Sequence, residues 1–256
     1  MLGRLRHGSA RAKEAAAAGV AQMAIETTIS QPFHPVTFRN ACVRAGIVGE
    51  LVKVLSGAKE SSTPQGMAHA LAALEAIATD DPSTELDNGH ALAACEAGVV
   101  PPTVRLLRSH EEALQVGAAA LSAVLAENPH CQARLLAAGA VAPLVSLGTF
   151  GNDAAKLRAV AALDLLALNN PAALEAITAA GGVNLLKGLA RFGGRELKEA
   201  TSGLLQGVTH PDSLTVAVDT AAHARQAHEA RVRHSKVWRS ATPVRRAHAP
   251  QREEEA

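Results

Sequence analysis

From residue 140 onward the chain alternates apolar stretches at helical spacing with short polar breaks. Val141, Leu144, Val145 and Leu147 follow Gly139 at helical spacing, which predicts a helix of medium length. A loop follows, and then Leu157, Val160, Ala161, Leu163, Leu165, Leu166 and Leu168 predict a longer helix. Asn170-Pro171 ends it, because the residue before a proline disfavours the α conformation. Proline is at home in the first turn of a helix, so a short helix over 171–180 comes next. Gly181 then lets the chain turn sharply into the following helix. One unit therefore reads short helix, tight turn, medium helix, loop, long helix.

The unit repeats. Ala45-Gly46-Ile47-Val48 recurs as Ala97-Gly98-Val99-Val100, Ala138-Gly139-Ala140-Val141 and Ala180-Gly181-Gly182-Val183, with glycines 52, 41 and 42 residues apart. A second marker keeps the same phase: Asp81-Pro82, Asn128-Pro129, Asn170-Pro171 and His210-Pro211. Two markers sharing a period of roughly 42 residues indicate a helical solenoid, in which each unit stacks only on its neighbours. The extra residues of the unit between Gly46 and Gly98 fall at 57–66 and 83–89, where Ser61-Ser62-Thr63-Pro64 and Asp87-Asn88-Gly89 are turn signals. Ala10 to about Ile29 reads as a lone third helix that begins the array.

These motifs closely resemble armadillo repeats, whose units run Asn-Pro, a short helix ending Ala-Gly-Gly-Val, then Leu-Val-x-Leu-Leu. The best matches are Asn128-Pro129 through Leu147 and Asn170-Pro171 through Lys187, and the resemblance covers about residues 10–222. It implies an all-α, right-handed α-solenoid of about four three-helix repeats plus a partial N-terminal one. Its expected organisation is a flexible N-terminus over 1–9, the solenoid over 10–222 and a basic extension with a disordered tail over 223–256. HEAT repeats are the nearest alternative, but they usually have two helices and lack the glycine turn in this phase.

Composition sharpens the picture. Apolar residues make up 48% of the chain and aromatic ones only 2%, so alanine carries much of the core. Alanine is the best helix former and a poor strand former, which argues against an all-β fold. A net charge of +1 gives no chain-wide attraction to nucleic acid or anionic lipid. Single-strand binders need stacking aromatics, which this chain largely lacks, so no specific nucleic-acid partner is expected. No stretch approaches the ~18 apolar residues of a membrane span. Arg4, Arg6, Arg11 and Lys13 give the start a basic, acid-poor character shared by organellar transit peptides, though a basic helix start explains it more simply. Residues 223–252 hold eight Lys or Arg against the single Glu229, a pattern of solvated tails and of segments that meet anionic partners.

Chemistry is sparse. There is no Gly-Lys-Ser or Gly-Lys-Thr phosphate loop and no Gly-x-Ser-x-Gly elbow. His228-Glu229 starts like a zincin helix, but Val232 stands where the second histidine belongs. Cys42, Cys95 and Cys131 fall in the short helices and read as buried core residues. The expectation is a protein without enzymatic activity, cofactor or metal.

Function is expected on the face of the long third helices, which armadillo proteins use to hold extended peptides. In importin-like members a Trp and an Asn four residues apart form a ladder there. The equivalent positions in this chain are Ala72, Ala119 and Ala161 for Trp, and Ala76, Ala123 and Leu165 for Asn, so the ladder is absent. His69, Glu75, Gln115, Ser122, Arg158, Asp164 and Gln206 are expected to point outward beside small alanines, Arg158 and Asp164 tuning partner choice through charge. The reading is a scaffold binding a protein segment in a concave groove, in the cytoplasm or also the nucleus. The alternative is a regulatory cofactor of an enzyme, such as a chaperone nucleotide-exchange factor or a ubiquitin-ligase-related armadillo protein.

Overall fold

The computed structural model describes residues 1–30, 35–57, 62–79 and 89–209, and among them every regular element is a helix. Four units of three helices follow one another. The first comprises α3 (Pro35–Arg44), α4 (Ile47–Ser56) and α5 (Pro64–Ala78); the second α6 (His90–Glu96), α7 (Val100–Leu106) and α8 (Glu112–Ala126). The third comprises α9 (Pro129–Ala137), α10 (Val141–Phe150) and α11 (Asp153–Ala167); the fourth α12 (Pro171–Ala179), α13 (Gly182–Phe192) and α14 (Arg195–Thr209). Before them come α1 (Leu2–His7) and α2 (Ala10–Ser30).

The two sequence markers do separate jobs. Gly46, Gly98, Gly139 and Gly181 all adopt left-handed φ values between 71° and 85°, at the turn from first to second helix. A side chain there would meet strain, which is why the turn keeps glycine. The Asn of Asn-Pro caps the helix that follows. Asn128 Oδ1 accepts from the N–H groups of His130 (3.0 Å) and Cys131 (3.4 Å), and Asn170 Oδ1 from that of Ala173 (3.2 Å). The proline beside it costs nothing, because the first N–H of a helix has no internal partner. Asp81-Pro82 and His210-Pro211 lie outside the described residues, as do the 223–256 tail and residues 58–61 and 83–88 of the two insertions.

Third helices form one continuous row, with α2 on α5, α5 on α8, α8 on α11 and α11 on α14. α5, α8, α11 and α14 each span 15 residues, which keeps the row in register. Second helices form an outer row against them, and the short first helices bridge between units. The core leucines expected from the repeat, Leu121, Leu125, Leu135, Leu144, Leu163, Leu166, Leu185 and Leu204, are all buried. Cys42, Cys95 and Cys131 are buried as well, one in each of the first three short helices. Burial pushes the Cys42 thiol up to about 11, whereas a hydrogen bond from Cys131 chiefly lowers Cys95.

Polar side chains stitch one unit to the next at helix C-terminal ends. The Arg105 guanidinium donates to the Leu55 carbonyl at 2.5 Å, and that of Arg134 to the Cys95 carbonyl at 2.8 Å. A cation at a helix C-terminus adds a donor to its last carbonyls and complements the negative end of the dipole.

Residues 1–9 depart from the flexible lead-in that their sequence suggests. α1 packs on α2 and α4, and Leu5 is buried between them. Arg6 Nε lies 3.1 Å from Glu50 Oε1, and Lys53 Nζ lies 3.0 Å from the same oxygen. Burial alone would raise the Glu50 carboxyl, but Lys53 and Arg6 together hold it below its ordinary value. α1 thus stands in the second-helix row and completes the partial unit begun by α2.

Candidate partner-binding surfaces

The third-helix row was the expected binding face, and its middle is closed. Ala119, Ala123 and Ala161 are at most 2% exposed, and Leu165 is buried too. α8 lies between α5 and α11, and its alanines let both neighbours approach closely. Above the row, Arg158 Nη1 on α11 reaches to within 3.7 Å of Glu75 Oε1 on α5, skipping the intervening unit. Their side chains are 7% and 20% exposed. Burial raises the Glu75 carboxyl and lowers the Arg158 guanidinium, each opposed in part by the charge of the other.

The seven expected residues therefore separate. Glu75 and Arg158 come together as an ion pair, so Arg158 is buried rather than turned outward. Ser122 is fully buried, its hydroxyl donating to the Ala118 carbonyl at 2.8 Å, because a side chain this small is covered once the flanking helices close over α8. Gln115 turns toward the α7–α8 loop, where its Nε2 donates to the Ser109 carbonyl at 2.7 Å. His69 and Asp164 are half-buried on α5 and α11, and Gln206 is exposed on α14. Toward the N-terminal end the floor opens, with Ala72 and Ala76 half-buried.

The outer row carries a feature that the sequence reading missed. Phe150 and Phe192 are 85% and 80% exposed, the last residues of α10 and α13. Each stands eleven residues after its turn glycine, Gly139 and Gly181, so the two occupy the same place in successive units. An aromatic pair held in register within a chain of four Phe and one Trp was the available signal. Two open clefts flank α10. One, of about 500 Å³, lies between the α7–α8 loop and α10; the other, of about 580 Å³, lies between α10 and α13.

Among the described residues no group of three His, Cys, Asp or Glu side chains is placed to hold a metal ion, and no single helix is long and apolar enough to cross a membrane.

No protein-family model matches the chain, and no curated protein matches it significantly. Solved structures do. A designed armadillo repeat protein in complex with the peptide (KR)4 superposes with a TM-score of 0.67 at 21% identity, covering 89% of this chain and 96% of that one. A computationally designed armadillo repeat protein for modular peptide recognition gives 0.66 at 23% identity over 89% and 96% of the two chains. The armadillo repeats only protein from Plasmodium falciparum gives 0.62 at 19% identity over 76% and 79%. The fold is one known from peptide-binding scaffolds and is generally non-catalytic. With the left-handed glycine turns, the three-helix units and these superpositions together, the chain is an armadillo-like repeat solenoid.

Proposed function

We propose that this protein is a non-catalytic scaffold that holds a segment of a partner protein on its third-helix face. The observation that carries the reading is the unbroken row from α2 to α14, open at Ala72 and Ala76 and presenting the half-buried Glu75 and Asp164. Solenoids offer extended surfaces of this kind, and charges on them select partners more than they add affinity. The occlusion over α8 shapes the site. A bound segment follows the open floor near α5 and contacts the Glu75–Arg158 pair from above, rather than entering a uniform groove. His69 lies on the same helix and Gln206 at the far end of the row.

The test is affinity capture from native lysate at moderate salt, comparing the parent with an Ala72→Glu, Asp164→Lys variant whose melting curve matches it. A partner retained by the parent and lost by the variant supports the third-helix site. If no captured protein depends on these two positions, the reading is overturned.

A further inference from the structure

The outer row holds a surface that the third-helix reading does not use. Large apolar side chains are seldom left four-fifths exposed at the same place in consecutive repeats, and isolated exposed residues are the ordinary case. Phe150 borders both clefts beside α10, and Phe192 closes the far side of the second. Ala142 and Ser146 line both clefts, and Gly188, with open space where a Cβ would stand, keeps the α13 wall of the second one low. Either cleft has the volume of a small side-chain or ligand pocket.

The fully charged side chains that line the clefts are cations. Arg108 lines the first cleft and Lys156 the second, with no carboxylate among the described lining residues, while Glu111 and Asp153 are exposed beside them. Arg191 stacks over the Phe192 ring, 5.1 Å from its centroid, which holds a cation at the rim. Lys187 is exposed on the same helix. Glu112, on the neighbouring α8, is engaged by the Asn152 side chain.

We infer that the clefts flanking α10, with Phe150 between them, dock an acidic protein segment that inserts two apolar side chains. Neighbouring helices pack 8–10 Å apart, so the two anchors stand roughly 10 Å from each other. That separation corresponds to about three residues of extended chain or two turns of helix. Asp or Glu residues flanking the anchors meet Arg108, Lys156, Lys187 and Arg191. The paired concave clefts favour side-chain anchors over a lipid surface, onto which a protruding apolar edge would dip.

A displayed library of random 16-residue peptides, selected against the full chain at moderate salt, tests this. Enriched peptides are then labelled and titrated against the parent, a Phe150→Ser, Phe192→Ser variant and a Lys156→Glu, Lys187→Glu variant, each shown to melt like the parent. The expected result is an excess of Asp and Glu around two apolar residues, with at least tenfold weaker binding to both variants. Enriched peptides that are neutral or basic overturn the proposal, as does binding that ignores the Phe replacements or a selection that enriches nothing. Peptides that ignore Phe150 and Phe192 but are lost with Ala72→Glu belong to the third-helix face instead. Two further controls are decisive against it: Phe-dependent binding to phosphatidylserine vesicles would assign the surface to membranes, and Phe-dependent self-association in sedimentation would assign it to a second copy.

Discussion

On the third-helix row, Ala119, Ala123 and Ala161 are almost wholly hidden from water; on the second-helix row, Phe150 and Phe192 stand four-fifths exposed. By size, the opposite assignment would be the natural one, with rings inside and alanines at the surface. Small side chains let neighbouring helices close together until little area is left between them, while a ring at the last position of a helix projects past its neighbours. Charge follows the same division. Glu50 belongs to the outer row and is gripped by Arg6 and Lys53, so its carboxyl is held down. Glu75 belongs to the inner row, where burial outweighs its one partner Arg158 and the carboxyl is pushed up. Exposure in a solenoid depends on where in the unit a residue falls, and hydrophobicity alone does not report it.

The largest effect should come from the inner core. Leu163 on α11 is fully buried, and Leu163→Ala should lower stability by about 2–5 kcal/mol in a denaturant titration. A curve overlying that of the parent would mean that the row is not the structural spine described above. Next in size is the pair that crosses α8. Arg158→Met should cost about 1–3 kcal/mol at neutral pH, since Glu75 is left buried without its counter-charge. Replacing both, as Glu75→Gln with Arg158→Met, should recover much of that loss. Purely additive losses in the double-mutant cycle would show that the pair is not coupled.

The two glutamates should also respond to pH with opposite signs. Glu75 is raised in the folded state, so its stabilising contribution is fully present below about 4.3, the usual unfolded value, and is lost as pH rises through the folded value. The stability of the parent relative to Glu75→Gln should therefore fall as pH rises. Glu50 is lowered, so its contribution is present above the unfolded value and is lost as pH drops through the folded one. The parent relative to Glu50→Gln should gain with rising pH. Parallel profiles would erase the distinction between the rows.

A smaller effect tests the turn. Gly139 has a φ of +71° with no neighbour near the place of a Cβ, so Gly139→Ala should cost about 1–2 kcal/mol through backbone strain alone. Smallest of all, Phe150→Ser and Phe192→Ser should each change stability by less than about 0.5 kcal/mol, because both rings are already in water. A large loss from either would make the ring a core residue and remove the argument for an outer docking surface.

Much of the architecture was legible in the residues. The Ala-Gly tetrads located the left-handed turns, the Asn-Pro pairs located the starts of the short helices, and the repeated leucines located the core. All three are local or periodic properties: a φ only glycine tolerates, a missing N–H, a stripe facing the neighbouring unit. Site residues were less legible. Ser122, Gln115 and Arg158 sit at plausible outward positions on a helical wheel, yet the wheel does not say how closely α5 and α11 approach α8. Helix α1 was missed for a related reason. Six residues are too few to signal a helix by period, and α1 holds because α2 and α4 cover Leu5 while Glu50 binds Arg6.

By itself, then, the sequence determined the repeat, its turns and its core, since each follows from the covalent character of a residue and its spacing. Only the tertiary structure decided which polar groups meet and which surfaces stay open. The pairing of Glu75 with Arg158 joins residues 83 positions apart across a third helix, and the clefts beside Phe150 lie between separate units. Both depend on the distance between packed helices, a quantity set by all the side chains of an interface together.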